Sequence, residues 1–322
     1  MKIAPNSTIK IEPLLALFLF LFTACSETNT PREILTENPF IVVLGVAQDA
    51  GYPQAGQKQE WELIKERAAR PKNAVAIGLV DPITKQRWLF EATPDFKLQL
   101  QMLDDVSETN HYPLDGIFLT HAHIGHYTGL IHLGREVMGT SGVPVYAMPK
   151  MKTFLEENGP WSQLVNLKNI EIKPQQDSIA IQLNNSISVT PFIVPHRDEF
   201  SETVGYEIKI KDKSIIFIPD IDKWSKWNQD IIEVIRKSDI ALLDASFFKN
   251  GEIQGRDMSE IPHPFVEESM SLFGKLSDED KAKVHFIHFN HTNPMNFSIS
   301  EESKLVLEKG FKIAFEGQIL KF

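Results

Sequence analysis

Cysteine is almost absent from this chain, whose 322 residues include a single one, Cys25. A disulfide needs two cysteines, and Cys25 precedes the region that we expect to fold, so that region has neither disulfides nor thiolate metal ligands. Basic residues are also in deficit, with 33 Lys and Arg against 43 Asp and Glu. The resulting net charge of −10 argues against a nucleic-acid partner.

Near the start of the chain, residues 14–22 form an apolar run that is too short to span a bilayer. Two lysines precede this run, and the small residues Thr23 and Ala24 separate it from Cys25. The order of basic, apolar and small residues is typical of a secretory signal peptide. We therefore expect the segment to be removed and to take no part in the fold.

The four residues from Phe22 to Cys25 resemble a bacterial lipobox, in which the cysteine is lipidated and becomes the mature N-terminus. The resemblance implies a protein anchored through Cys25 to a membrane of the bacterial cell envelope, on its periplasmic side or at the outer membrane. An ordinary signal peptide and an interfacial anchor are the alternatives. We predict a lipoprotein signal peptide at 1–24, a polar tether at 25–39 and one folded domain at 40–322.

Apolar runs rich in β-branched residues alternate with amphipathic segments through the predicted domain. The apolar runs predict strands at 40–47, 73–80, 87–91, 115–120, 143–147, 186–194, 203–210, 214–218, 240–244 and 284–288. Helical spacing predicts helices at 61–70, 96–106, 128–138, 231–237 and 264–272. Two sets of strands with helices between them predict an α/β (α+β) sandwich of two sheets with helices on the outside.

Three histidines follow the apolar run 116–120 within six positions: His121, His123 and His126. Alternate side chains at a strand end point the same way, so His121 and His123 can bind one metal ion. Neutral imidazole is the commonest metal ligand in proteins, and His126 follows at the start of a predicted helix. The spacing therefore predicts a metal site, in preference to three surface histidines on a loop.

Further candidate ligands lie at the ends of later predicted strands, where functional residues are commonly displayed: His196, Asp220, His288 and His291. A surface turn for His196 and a helix cap for Asp220 are the alternatives, and one histidine of the last pair is expected to be structural. His263 lies between two prolines, which favours a role facing the substrate as much as a plain helix start. Two weaker candidates for orienting the imidazoles are Asp49 and Asp244.

The histidine cluster resembles the His-x-His-x-Asp-His signature of the metallo-β-lactamase superfamily, except that Gly125 stands at the acidic position. The resemblance implies a four-layer αββα sandwich. Asp220 fits the family's later Asp motif, which implies a catalytic role for it. We predict a catalytic role for His263 as well, from its rigid loop between two prolines. The ligands that the resemblance implies for a first metal ion are His121, His123 and His196.

A second metal ion is implied at the same site, with the ligands His126, Asp220 and His288. Asp220 is then able to bridge the two ions. Because Gly125 removes a charged ligand from this position, we expect the second ion to bind weakly, to be absent, or to recruit His291.

Within this superfamily the chain resembles the pyrroloquinoline-quinone biosynthesis protein B family. The matching segments are 43–54, 127–130 and 291–294. That family carries cysteines after its Pro-Gln loop, and this chain has none there. That family also tends to lose the first histidines of the cluster, whereas His121 and His123 are both present here. The resemblance therefore implies a similar shape with a metal site closer to that of an ordinary hydrolase.

Hydrolysis of a small-molecule substrate is the chemistry that these ligands predict. A metal ion with an open position lowers the pKa of bound water from roughly 16 to roughly 7, and the hydroxide attacks an ester, thioester, amide or phosphoester bond. Zinc is the expected ion, one or two per chain, although iron or manganese also suits His and carboxylate ligands. An iron-dependent oxidative enzyme and a surface lipoprotein that binds a ligand or metal without turnover are the alternatives.

Overall fold

The computed structural model of the protein describes residues 37–107 and 114–321. The predicted signal peptide at 1–24, the lipobox cysteine and most of the predicted tether at 25–39 lie outside the described residues. Within the described ranges, no helix is long and apolar enough to cross a membrane.

The strands of the described ranges fall into two sheets. In chain order they are β1 (Phe40–Gly45), β2 (Ala76–Asp81), β3 (Gln86–Phe90), β4 (Gly116–Phe118), β5 (Val143–Ala147), β6 (Ile170–Pro174), β7 (Ile181–Gln182), β8 (Ile187–Ile193), β9 (Val204–Ile210), β10 (Lys213–Ile218), β11 (Ile240–Asp244), β12 (Val284–Ile287), β13 (Lys312–Ile313) and β14 (Ile319–Leu320). The first sheet has the order β14-β1-β2-β3-β4-β5-β6 and the second the order β13-β12-β11-β10-β9-β8-β7.

Helices connect the strands of both sheets. They are α1 (Lys58–Lys65), α2 (Phe96–Ser107), α3 (Ile124–Tyr127), α4 (Pro149–Glu157), α5 (Trp161–Asn166), α6 (Ile231–Lys237), α7 (Val266–Phe273), α8 (Asp278–Lys281) and α9 (Glu301–Glu308). Short 3₁₀ helices occupy Thr128–Leu133, Trp224–Lys226 and Pro294–Asn296. The two mixed sheets flanked by helices are the predicted α/β sandwich.

The sheets pack on each other and on their helices through two apolar cores. Strand β1 shows the arrangement, because its side chains alternate between the cores: Ile41 and Val43 face the one shared with the second sheet, and Val42 and Leu44 face the other. A strand covered on both faces is apolar throughout, which explains the unbroken run that predicted it. Aromatic rings fill the space between the sheets, where Phe90 stacks on Phe118 with ring centres 4.8 Å apart.

The helix predicted at 128–138 is a correction. The chain instead forms the single turn α3 and the 3₁₀ helix Thr128–Leu133, and it leaves the helix at Gly134 with an extended backbone. Gly129 packs so closely that a Cβ there would lie 2.1 Å from the carbonyl oxygen of Thr93. This tight packing, together with the low helix propensity of glycine, outweighs the apolar spacing that predicts a longer helix. Strand β6 and the helices α4 and α5 were not predicted.

Candidate metal centre

Strand direction brings the predicted ligands to one end of the sandwich. In the first sheet β1 is antiparallel to β2, and β2 to β3, so β1 runs parallel to β3 and β4. In the second sheet β8, β10, β11 and β12 also run parallel to one another. The candidate residues other than His263 lie at or just after the carboxyl ends of these strands, where loops commonly carry function. His263 lies in the long loop between β11 and α7.

Three imidazoles and one carboxylate converge on one point. The Nε2 atoms of His121 and His196 lie 3.3 and 3.2 Å from Oδ2 of Asp220. Nδ1 of His123 lies 2.8 Å from Nε2 of His121 and 3.3 Å from Nε2 of His196. Ligand atoms about 2.1 Å from a tetrahedral zinc are about 3.4 Å from one another, so these atoms suit one cation. We call the four residues the first cation position.

The other nitrogen of each of these imidazoles has a partner of its own. Nδ1 of His121 lies 2.9 Å from the Thr120 hydroxyl, Nε2 of His123 lies 3.2 Å from Glu199, and Nδ1 of His196 lies 3.3 Å from Asp222. Such contacts fix the tautomer and the direction of a metal-binding imidazole. No local pattern in the sequence predicts these partners, although Asp222 lies only two residues after Asp220.

His126 and His288 form a second pair of imidazoles, with ring centres 5.4 Å apart and no exposed surface. Nδ1 of His288 lies 2.8 Å from the Ser246 hydroxyl, and Nδ1 of His126 lies 3.4 Å from Oε1 of Glu91. Nε2 of His126 lies 4.0 Å from Oδ2 of Asp220. We call His126, His288 and Asp220 the second cation position.

His263 contacts the same carboxylate from the other side. Its Nδ1 lies 3.1 Å from Oδ1 of Asp220 and 2.8 Å from Oδ2 of Asp244. Asp244 also accepts hydrogen bonds from the backbone N–H groups of Ile221 and Ser246. A carboxylate with so many donors is better suited to positioning His263 than to binding a cation directly.

The charge states of His121 and Asp220 suit metal binding. Burial lowers the pKa of His126 and that of His196, but the carboxylates of Glu91 and Asp220 outweigh burial and raise these two pKa values. Burial lowers the pKa of His121 well below its usual range, and His126 beside it lowers it further. Burial raises the pKa of Asp220, but the imidazoles of His196 and His263 outweigh burial and hold that pKa well below its usual range. A neutral imidazole and an ionised carboxylate are the forms that ligate a metal.

The carboxylates have the opposite effect on His263. Burial lowers its pKa, but Asp244 and Asp220 outweigh burial and hold the pKa well above its usual range. The ring is therefore protonated near neutral pH, as a proton donor must be.

His291 does not join the other predicted ligands. Its Nδ1 lies 2.6 Å from Oε1 of Glu60, at the end of α1 nearer the N-terminus. Within the described ranges, two sets of donor atoms lie within 4.8 Å of one another: His121, His123, His196 and Asp220, and Asp220, Asp244, His263 and His288. Neither set includes His291. His126 is also outside both sets, but its Nε2 lies 4.0 Å from Oδ2 of Asp220. The prediction of His291 as a ligand is therefore not supported, and His288 supplies the imidazole of this strand end.

Buried polar atoms without hydrogen-bond partners mark this region. Among the described residues they include Nε2 of His126 and Nε2 of His288. Oδ1 of Asp220 also lacks a hydrogen bond, and its 3.1 Å contact with Nδ1 of His263 is an ion pair only. Leaving such an atom unpaired costs about 1–3 kcal/mol, so nearly all buried polar atoms in proteins have a partner. Imidazole nitrogen and carboxylate oxygen are ligands of zinc, iron and manganese, so the donor set fits a metal centre.

Residues 86–289 match the family model of the β-lactamase superfamily domain. The match covers more than half of the chain. It includes the six residues of the two cation positions, which share Asp220, and it also includes His263. The chain belongs to the β-lactamase superfamily. The predicted metallo-β-lactamase-like sandwich is thereby confirmed.

Individual relatives agree with this assignment. The chain is 24% identical over 314 residues to coenzyme PQQ synthesis protein B of Methylorubrum extorquens (strain PA1), covering 87% of this chain and 99% of that protein. Its structure is similar to that of Zn²⁺-bound PqqB from Methylobacterium extorquens, with a TM-score of 0.72, 20% identity, and coverage of 88% of this chain and 100% of that chain. A diphosphatase from the PhnP family gives a TM-score of 0.57 and 22% identity, covering 88% of this chain and 97% of that chain. The predicted similarity to the PQQ synthesis protein B family is confirmed.

Proposed function

We propose that this protein is a metal-dependent hydrolase of a small-molecule substrate, cleaving an ester, thioester, amide or phosphoester bond. The observation that carries the proposal is the convergence of His121, His123, His196 and Asp220 on one point, with spacings of 2.8–3.3 Å between neighbouring donor atoms. We propose zinc as the ion, one or two per chain, because zinc accepts imidazole and carboxylate ligands and can expand to five ligands, which leaves a position for water beside these four donors. Iron and manganese also accept this donor set.

His121, His123, His196 and Asp220 would hold a cation, which would lower the pKa of a bound water molecule towards neutrality and polarise the scissile bond. Side chains of the protein accept and donate the protons of the reaction. Asp220 is ionised and accepts a proton from the attacking water through Oδ1, and the protonated His263, whose Nδ1 lies 3.1 Å from that oxygen, donates a proton to the leaving group. Asp244 keeps the His263 ring in place through a 2.8 Å contact.

Among the candidate bonds, the phosphoester is the first to test. The diphosphatase of the PhnP family and the short form of human tRNase Z, which has a TM-score of 0.55 and 13% identity to this chain, share the fold. Both names describe enzymes that act on phosphate-linked bonds. The net charge of −10 argues against a polynucleotide substrate for this chain.

The test is a panel of chromogenic phosphodiester, phosphomonoester, acetyl ester, thioester and anilide substrates, assayed with the full chain before and after metal removal. We expect turnover of at least one class, its loss with chelator and its recovery with zinc. His121→Ala should remain inactive, and His132→Ala, a histidine that stacks on Phe96 away from the cluster, should behave as the wild type. Turnover that survives complete metal removal would contradict the proposal.

An iron-dependent oxidative enzyme is the second candidate, favoured by the similarity to coenzyme PQQ synthesis protein B along 87% of the chain. Ferrous iron also binds His and carboxylate ligands with open positions. The distinguishing measurement is the metal found in protein purified without added ions, followed by oxygen consumption with reduced quinone precursors. Bound iron with oxygen uptake and no hydrolysis would favour this candidate. Tightly bound metal without turnover in either assay would favour the non-catalytic binding lipoprotein.

We also propose that a lipid on Cys25 anchors the chain in the bacterial cell envelope. The order of basic, apolar and small residues before the chain's single cysteine supports this. In cells supplied with radiolabelled palmitate, the wild type should carry label and sediment with membranes. Cys25→Ser should carry none, whereas Ser26→Ala should be labelled. An unlabelled wild type would contradict the anchor.

A further inference from the structure

The histidine cluster lacks an acidic residue at position 125, and Asp49, from another part of the chain, lies in the space where that residue would be. Position 125 is glycine, and a Cβ placed there would lie 2.4 Å from Cα of Asp49 and 2.9 Å from its Oδ1. No side chain fits in so little space unless the backbone moves. The volume that an acidic residue at 125 would occupy is therefore filled by Asp49, which lies in the loop after β1.

Asp49 is held there by its neighbours rather than by its own preference. Its φ is +41°, which is strained for a residue with a Cβ. The preceding Gln48 donates its backbone N–H to the carbonyl of Phe289 at 2.8 Å, and Phe289 donates to Val46 at 2.8 Å. These bonds tie the loop after β1 to the residue that follows His288. Strain that the surrounding structure enforces is typical of functional sites.

The carboxylate of Asp49 lies beside the second cation position. Its Oδ1 is 4.0 Å from Nε2 of His126. That imidazole has no exposed surface, and neither its Nε2 nor that of His288 has a hydrogen-bond partner among the described residues. The side chain of Asp49 is 38% exposed, so its carboxylate lies on the solvent side of these buried nitrogens.

We propose that Asp49 supplies the carboxylate of the second cation position, completing a set with His126, His288 and Asp220. In this arrangement the carboxylate comes from the loop after β1 and not from the start of α3. Gly125 leaves the space that Asp49 occupies. The inference rests on the proposed metal-dependent function, and it assigns two ions rather than one to each chain. Two imidazoles and two carboxylates suit zinc, manganese or iron.

The test is a zinc titration of the metal-free full chain, followed by calorimetry and by elemental analysis after gel filtration. We expect two ions in the wild type. Asp49→Asn, which keeps the shape of the side chain, should keep one ion at wild-type affinity and bind the second more than about 100-fold more weakly. Asp49→Ala should behave alike, and Asp212→Asn, an exposed acid in the turn before β10, should bind both ions normally.

Cobalt substitution gives a second readout that does not depend on turnover. The visible absorption of the second equivalent of cobalt should change in Asp49→Asn, while that of the first should not. Two ions bound with unchanged affinity in Asp49→Asn would overturn the assignment of Asp49. One ion in both proteins would overturn it too, yet leave the hydrolase proposal intact. No ion in the wild type would overturn both proposals.

Discussion

The two cation positions share Asp220 but are built in different ways. The first takes two imidazoles from one loop, two residues apart, and each of its histidines is oriented by a side chain within 3.3 Å. The second takes its imidazoles from separate sheets, and neither ring has exposed surface. Left-handed backbone occurs at three residues around it, Asp49, Glu91 and His288. Local spacing therefore specifies the pair His121 and His123 of the first position, whereas tertiary packing that holds strained residues in place brings together all the ligands of the second.

The largest effect is expected where the two positions meet. Asp220→Asn should remove both ions, because Oδ2 lies 3.2–4.0 Å from imidazole nitrogens of both positions. Turnover should fall by about 1,000-fold or more. Elemental analysis and the substrate panel measure the two losses, and the exposed Asp105→Asn serves as control. Retention of either ion at full affinity would show that Asp220 does not bridge the positions.

Single histidine variants should separate the positions. His126→Ala should lose the second ion and keep the first, whereas His123→Ala should lose the first, each with more than about 100-fold weaker binding. Zinc titration by calorimetry provides the measurement. If both variants lost both ions together, the centre would be one cooperative unit and the distinction drawn above would be wrong.

The orienting carboxylates should repeat this pattern with smaller effects. Glu91→Gln should weaken the second ion about 10- to 100-fold, because Oε1 lies 3.4 Å from Nδ1 of His126. Asp222→Asn should weaken the first ion similarly, because Oδ1 lies 3.3 Å from Nδ1 of His196. Each variant is the control for the other in the same titration. Equal effects of Glu91→Gln on both ions would indicate general loosening of the fold instead.

The smallest effect is expected outside both positions. His291→Ala should leave the metal content unchanged and lower the free energy of unfolding by about 1 kcal/mol, through loss of its contact with Glu60. Elemental analysis and urea unfolding provide the measurements. Loss of an ion in His291→Ala would restore this histidine as a ligand.

The parts of the fold that the sequence predicts are those with strong local patterns. The apolar runs within 40–47 and 240–244 are the strands β1 and β11, because strands buried on both faces are mostly apolar. The region 149–174 was not assigned any element, and the helix at 128–138 was too long. The predicted helix at 128–138 is shorter because Gly129 packs closely against Thr93. A local sequence pattern cannot predict a contact with a residue 36 positions away.

The candidate site divides in the same way. The spacing of His121 and His123 is a local signal, and His196 and Asp220 follow apolar runs that mark strand ends. Glu91 was overlooked even though it directly follows β3, since an acidic residue after a strand is common. The contact between Asp49 and Gly125 joins residues 76 positions apart, so it is visible only once the sheets have formed.

The most direct test of the two-position account is anomalous diffraction from crystals of the zinc-loaded protein. The account predicts two peaks about 3.5–4 Å apart, as in other two-metal sites. One peak should lie among His121, His123 and His196, and the other between His126 and His288, with Asp220 contacting both. Peaks at other residues, or no peak at the end of the sandwich where these strands finish, would contradict it.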